Sequence, residues 1–105
     1  MLLYSAVAVL VGCLSTIAQS ATCGVKGYNK ATAPAFILNN TTSSVFTLSG
    51  CKAYCAASTV QKCASFAIEA APAPACLLYN VTVAESINAV NTSSYTFYDA
   101  SCPTS

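Results

Sequence analysis

Cysteine is the residue type in this chain whose number and spacing point most clearly to chemistry. Six cysteines follow an uncharged, apolar N-terminal stretch, and a seventh, Cys13, lies inside it. The six are Cys23, Cys51, Cys55, Cys63, Cys76 and Cys102. An even number of thiols in a short chain with a secretory start is typical of a disulfide framework, in which oxidation joins the sulfurs in pairs. The sequence therefore predicts three disulfides and export to an oxidising environment.

Groups that could carry out catalysis are scarce. The chain of 105 residues has no histidine, which is the commonest general acid and base. Its three carboxylates, Glu69, Glu85 and Asp99, fall in separate segments, whereas a glycosidase needs two of them about 5–10 Å apart. Zinc could bind the cysteines only if they stayed reduced, which export would prevent. We therefore expect no enzyme activity, no cofactor and no metal site.

The N-terminal stretch has the features of a signal peptide. No charged side chain occurs before Cys23, residues 2–11 are mostly apolar, and Ala18-Gln19-Ser20 places small residues two apart, as signal peptidase requires. We predict cleavage after Ser20. Residues 1–20 would then be a signal peptide and residues 21–105 a single secreted, extracellular domain.

Two other interpretations of this stretch stay open. A membrane anchor over residues 2–18 would be at the short end of the roughly 17–25 residues that a spanning helix needs, and it lacks flanking positive charge. Leu10-Val11-Gly12-Cys13 resembles a bacterial lipobox, which would make Cys13 a lipidated N-terminus, but the basic residues that usually precede one are absent. After cleavage at Ser20 we expect no membrane attachment.

Charged side chains are few and scattered along the chain. Four lysines, Lys26, Lys30, Lys52 and Lys62, and the three carboxylates give a formal net charge of +1. This pattern offers no positive surface for nucleic acid and no basic cluster for an anionic membrane. We expect a monomer whose partner is an extracellular protein or a polysaccharide.

Because the chain carries few charges, we predict that N-linked glycans contribute to its solubility. Four asparagines, Asn39, Asn40, Asn80 and Asn91, each precede Thr or Ser by two positions with no intervening proline, which is the N-glycosylation pattern. Asn39 and Asn40 are adjacent, so we expect only one of the two to be modified.

One helix and several strands must position the cysteines. Residues 51–57 are rich in alanine and predict a helix capped by Thr47 or Ser49, and its two cysteines, four apart, share one face. Short apolar or alternating runs predict strands over 35–38, 45–48, 63–68, 76–81 and 95–99. Residues 23–32 predict an irregular or short extended start, 69–75 with two prolines predict a loop, and 82–92 favour no element. The fold class is α+β, with one short helix packed on an antiparallel sheet.

The cysteine spacing resembles that of the PAN/apple domain. The segments that carry the resemblance are Cys51-Lys52-Ala53-Tyr54-Cys55, Cys63-Ala64-Ser65-Phe66 and Cys76-Leu77-Leu78-Tyr79. They are similar to the Cys-x3-Cys helix and the Cys-x-x-Phe and Cys-x-Leu strands of that family. The closing Phe97-Tyr98-Asp99 with Cys102 resembles the last strand of apple-like modules in small secreted fungal proteins.

The resemblance implies a nested disulfide pattern: Cys23–Cys102, Cys51–Cys76 and Cys55–Cys63. A swapped pairing, Cys51–Cys63 with Cys55–Cys76, stays open because spacing alone cannot choose among the possible pairings.

Apple domains generally bind proteins or carbohydrates, so the resemblance implies a secreted, non-catalytic binding module. Tyr95 and Tyr98 are the candidate ligand contacts, because tyrosine presents an amphipathic ring. Three positions apart on a strand, they point to opposite faces, and we expect one to be exposed. The alternative is a secreted structural or effector-like cysteine-rich protein of the cell surface or host interface. A toxin or protease inhibitor would need an exposed rigid loop, for which residues 69–75 are the candidate. The Ala-Pro-Ala-Pro run in this segment is more simply interpreted as a spacer.

Overall fold

The computed structural model describes residues 20–104 and contains six strands, two helices and a short 3-10 turn. The strands are β1 (Cys23–Asn29), β2 (Ile37–Asn39), β3 (Ser65–Glu69), β4 (Ala75–Tyr79), β5 (Ile87–Ala89) and β6 (Tyr95–Asp99). The helices are α1 (Leu48–Ala57) and α2 (Val83–Ser86), and the 3-10 turn is Ser43–Val45. Apart from Ser20, the predicted signal peptide lies outside the described residues. Neither described helix is long and apolar enough to cross a membrane.

All six strands join one antiparallel sheet in the order β2-β4-β3-β6-β1-β5. Strands β3 and β4 form an antiparallel hairpin, and its connection over residues 70–74 lies in the segment predicted to be a loop and contains a cis peptide bond between Ala71 and Pro72. Strand β6 lies between β3 and β1, so the last strand pairs with the first and brings the two ends of the domain together. The predicted fold class, a disulfide-stapled α+β domain with one main helix, is confirmed.

Apolar side chains pack on both faces of this sheet. Phe66, Cys76 and Leu78 point to the face covered by α1, where they form a buried cluster with Cys51 and Cys55. The alternate positions of the same strands point to the opposite face, as side chains of a pleated strand must. That second buried cluster contains Ala67, Ala75, Leu77, Tyr79, Val83 and Phe97. Because β3 and β4 are buried on both faces, most of their residues are apolar.

Helix α1 begins where a polar side chain can cap it. Thr47 has extended backbone angles, and its Oγ1 accepts a hydrogen bond from the Gly50 amide at 3.0 Å, which satisfies one of the unpaired N–H groups of the first turn. A Cβ on Gly50 would collide with the carbonyl oxygen of Ser44, so glycine lets the helix start directly against the 3-10 turn. The strand predicted over 45–48 is therefore wrong: the cap at Thr47 already starts the helix there.

Two further segments differ from their predictions. The start of the domain is a seven-residue strand, β1, with a bulge at Gly24, whose φ of +78° favours glycine. The segment 82–92, for which the sequence favours no element, forms α2 and β5. Both β1 and β5 depend on pairing with distant strands, which a local reading of the sequence does not show.

Three disulfides cross-link the domain: Cys23–Cys102, Cys51–Cys76 and Cys55–Cys63, with Cα–Cα distances of 5.8, 5.7 and 5.4 Å. This is the nested set, and the swapped pairing does not form. The sequence separations are 79, 25 and 8 residues, so the chain-entropy relation gives about 4.5, 3.5 and 2.5 kcal/mol of stabilisation. The link between the two ends is thus the largest of the three contributions.

A buried carboxylate reinforces the junction between the ends. Asp99, at the end of β6, accepts hydrogen bonds from the backbone N–H of Thr22 at 2.7 Å and of Val83 at 2.8 Å. Its own N–H donates to the Thr22 carbonyl at 2.8 Å. One side chain therefore ties the segment before β1 to the first turn of α2, whose N–H groups have no partner within the helix.

Removing the longest disulfide should be the most destabilising of the three deletions. We expect the double variant Cys23→Ala/Cys102→Ala to lose about 4.5 kcal/mol of unfolding free energy, and Cys55→Ala/Cys63→Ala about 2.5 kcal/mol. Urea unfolding of the oxidised proteins measures both values. The opposite order would contradict the chain-entropy account.

Asp99→Ala should destabilise the domain because it leaves two backbone donors without a partner, at about 1–3 kcal/mol for each that stays buried. Asp99→Asn keeps one acceptor oxygen and should lose less. The matched control is Glu85→Ala, an exposed carboxylate on α2, which should change stability by no more than about 0.5 kcal/mol. Equal thermal unfolding midpoints for the Asp99→Ala and Glu85→Ala variants would contradict this role.

Candidate functional site: an aromatic cleft

A small cleft opens on the sheet face opposite α1. Its cavity is about 80 Å³. We call it the aromatic cleft, and its residues are Tyr28, Asn29, Leu77, Tyr79, Tyr95 and Phe97. Leu77, Tyr79 and Phe97 are buried and form the base, whereas Tyr28 is 48% exposed and stands at the rim with the half-buried Asn29 and Tyr95.

The register of the sheet explains why a cleft exists here. Strand β3 lies between β4 and β6, and Ala67 is paired with Leu77 on one side and with Phe97 on the other. These three residues share a face, and the alanine between the two larger side chains is fully buried. A methyl group at this central position leaves room for the side chains of the outer strands to enclose a space.

Aromatic pairs line both the base and the rim. At the base, the rings of Tyr79 and Phe97 have centroids 5.4 Å apart and are tilted by 37°. At the rim, Tyr28 and Tyr95 meet edge to face, with centroids 6.1 Å apart and planes at 71°. Both distances lie in the range in which aromatic rings attract each other. The rim tyrosines therefore hold one another in place while Tyr28 stays accessible.

Two polar side chains of the cleft, Tyr79 and Asn29, have partners within the domain. The Tyr79 hydroxyl donates to Asn29 Oδ1 at 3.3 Å, and Asn29 Nδ2 donates to the carbonyl oxygen of Lys30 at 3.1 Å. These bonds tie the end of β1 to the base of the cleft. Beside the rim, the buried carboxylate of Glu69 accepts a hydrogen bond from the Ser94 hydroxyl at 2.5 Å, and in the sheet Glu69 is paired with Tyr95.

Burial changes the acidity of two tyrosines in the cleft. Burial raises the pKa of the Tyr79 hydroxyl far above its ordinary value of 10.0, with a smaller contribution from Tyr95. Burial also raises the pKa of Tyr95, and the negative charge of Glu69 adds to the effect. Both rings are therefore neutral hydrogen-bonding groups at physiological pH and do not supply charge to a ligand.

The structure separates the two tyrosines that the sequence singles out. Tyr95 lines the aromatic cleft, whereas Tyr98 packs with the α1-side cluster and stacks on Phe66, with centroids 5.4 Å apart and planes at 16°. Both are half-buried. The expectation that one of them is exposed is wrong, because each ring packs on a different face of the sheet.

Sequence reasoning missed the other aromatic residues of the cleft. Tyr79 and Phe97 each lie two positions from another cleft residue on the same strand, Leu77 and Tyr95 respectively. Residues two apart on a strand point to the same face of the sheet. This spacing could have identified the base of the cleft from the sequence. No sequence signal brings Tyr28 to the rim, because its position depends on the pairing of β1 with β5 and β6.

The predicted glycosylation residues lie outside the cleft. Asn40, Asn80 and Asn91 are exposed and Asn39 is half-buried. Asn39 Oδ1 accepts hydrogen bonds from the N–H groups of Thr41 and Thr42, both at 3.0 Å. Asn80 Nδ2 donates to Gln61 Oε1 at 2.7 Å.

Within residues 20–104 no group of three or more His, Cys, Asp or Glu side chains could hold a metal ion. Comparison of the chain with protein-family models, with curated proteins and with solved structures gives no match. The apple-domain resemblance therefore rests on the cysteine spacing and stays a prediction.

The raised pKa of Tyr79 predicts a loss of stability at alkaline pH. The native hydroxyl keeps its proton where the unfolded chain loses one, so this stabilisation is complete below about pH 10 and falls as the pH rises above that value. We expect the unfolding free energy to fall less steeply in Tyr79→Phe than in the wild type between about pH 9 and 11. Tyr54→Phe, on the α1 side, is the control. Parallel pH profiles for the wild type and Tyr79→Phe would contradict the assignment.

Proposed function

We propose that this chain is a secreted, non-catalytic binding module that takes its ligand at the aromatic cleft. The observation that carries the proposal is an exposed tyrosine, Tyr28, at the mouth of a cleft whose base is apolar. Tyrosine at such a position supplies contact area and a hydrogen-bonding group with few rotatable bonds, which is why it is enriched where proteins bind partners.

The size of the cleft limits what the ligand can be. Small-molecule sites usually have about 300–1,000 Å³, whereas this cavity has about 80 Å³. It admits one apolar side chain or one face of a sugar ring, and the rest of the ligand must lie outside it. The proposed ligand is therefore an extracellular protein or a polysaccharide, of which the cleft holds a single unit.

The disulfides support this role by keeping the site preformed. Cys51–Cys76 fixes α1 to the opposite face of β4, Cys55–Cys63 joins α1 to the segment just before β3, and Cys23–Cys102 holds β1, which carries Tyr28. A rigid site loses little conformational entropy on binding, and this reduces the cost of association.

The test is binding by the oxidised domain, residues 21–105, to an array of extracellular polysaccharides and to secreted and cell-surface proteins. For whichever ligand is found, Tyr28→Ala should weaken binding by about ten-fold or more, as for a central contact residue. Because Tyr28 is exposed, this variant should fold. Val60→Ala, which removes an exposed side chain distant in sequence from the cleft, should bind as the wild type does.

The outcome also distinguishes the ligand classes. Binding to a defined polysaccharide that depends on Tyr28 identifies a carbohydrate module, and equivalent dependence with a protein identifies a protein-binding module. Unchanged affinity in Tyr28→Ala, for the ligand that the wild type binds, would contradict the cleft as the site.

A further inference from the structure

The two edges of the sheet are exposed and short. Strand order places β2 at one edge and β5 at the other, and each has three residues. Edge strands present backbone N–H and C=O groups that can pair with a strand from another chain, so natural proteins protect them. Short edge strands are one such protection.

Part of β1 is also an edge, because β5 does not cover its whole length. Strand β5 pairs with Gly27, Tyr28 and Asn29, and the N–H of Val90 donates to the Lys26 carbonyl at 3.0 Å, whereas the residues of β1 before Lys26 are paired with β6 on the other side only. A groove of about 660 Å³ runs beside this uncovered part. Its lining is Gly24, Val25, Lys26, Ala89, Val90 and Asn91.

The predicted glycosylation residues coincide with these edges. Asn39 is the last residue of β2 and Asn40 follows it, while Asn91 comes two residues after the end of β5 and lines the groove. The remaining one, Asn80, follows β4, which lies inside the sheet. Each exposed edge therefore ends at a residue that can carry a glycan.

We propose that N-linked glycans at Asn91 and Asn40 cover the two sheet edges and keep the domain from pairing edge to edge, with the first sugars of the Asn91 glycan seated in the groove. The groove is shallow and open to solvent along its length, so a sugar can lie along it without entering an enclosed cavity. Its lining offers an exposed apolar side chain, Val90 at 37% exposure, for a sugar to cover.

Contacts favour Asn40 over its neighbour at the other edge. The side-chain amide of Asn39 is engaged on both sides: Oδ1 accepts from two backbone N–H groups, and Nδ2 donates to Thr42 Oγ1 at 3.3 Å. A sugar on Nδ2 of Asn39 would crowd this turn, whereas Asn40 is exposed.

The modification itself is a transfer from a lipid-linked oligosaccharide. The side-chain Nδ2 forms a bond to the anomeric carbon of the first sugar, the bond from that carbon to the lipid diphosphate breaks, and one amide proton is released as the diphosphate leaves. No oxidation or reduction is involved.

Modification of Asn91 must precede folding of its segment. The hydroxyl residue of its sequon, Ser93, is buried; its Oγ donates to the Gly27 carbonyl at 2.5 Å and accepts from the Tyr95 N–H at 3.0 Å. These bonds join β1 to the start of β6, so a transferase cannot reach this hydroxyl in the folded domain. For the same reason a Ser93 substitution would damage the fold, and Asn91→Gln is the informative change.

The experiment uses the full chain expressed in a eukaryotic secretory host, and the inference rests only on the secretion part of the proposed function. Glycopeptide mapping of the secreted protein should find sugar on Asn91 and Asn40. Sedimentation should show a monomer for the wild type and for the control Asn80→Gln. Enzymatic deglycosylation, Asn91→Gln and Asn40→Gln should each strengthen self-association by about ten-fold or more.

A second change keeps the test specific to the β5 edge. Adding Val90→Lys to Asn91→Gln places a charge in the groove, and charged side chains blunt edge pairing, so the double variant should return to a monomer. Secreted protein without sugar at Asn91, or unchanged association in Asn91→Gln, overturns the inference and leaves ligand binding untouched. Retention of the chain inside the cell would contradict the secretion on which both proposals rest.

Discussion

The sheet depends on one constraint, the closure of the chain ends around β6. Strand β6 lies between β3 and β1, so the sheet is complete only when the first and last strands meet, at a junction whose disulfide spans 79 residues. The Cys23–Cys102 disulfide restricts the unfolded chain over this whole distance, and a loop this long gives the largest entropic effect. Hydrogen bonds between Asp99 and Thr22 then fix the geometry of the junction. A domain of this size buries a modest fraction of its surface and is only marginally stable by packing alone.

The aromatic cleft follows from the same closure. Its base and rim come from β1, β4 and β6, which are far apart in sequence, and only the insertion of β6 next to β3 brings them to one face. Ala67 on β3 separates Leu77 from Phe97 without filling the space above itself. The position of β6 in the sheet and a small residue on β3 thus both shape the site, although neither the cysteines nor Ala67 line it.

The parts of the structure that the sequence predicts are those with local signals. A threonine cap, alanines and cysteines four apart define α1, and two prolines between apolar runs define the β3–β4 hairpin. The pairing of Gly27 with Ala89 that creates β5, and the register that places Ala67 between two larger side chains, carry no local signal. Of the candidate site, Tyr95 is identifiable from its residue type and strand, and Tyr79 from its spacing to Leu77, whereas Tyr28 requires the strand order.

The packing of the α1 face decides which tyrosine of the final strand is available to a ligand. The α1 face carries both sulfurs of the helix, and there the ring of Tyr98 stacks on Phe66 at 5.4 Å. Withdrawing Tyr98 to reach a partner would open the cluster around Cys51 and Cys55. Tyr95 lies on the opposite face, where its neighbour at the rim is the exposed ring of Tyr28. A contact at this rim leaves the disulfide-bonded cluster intact, so binding and the disulfide-bonded cluster use different faces of the same strand.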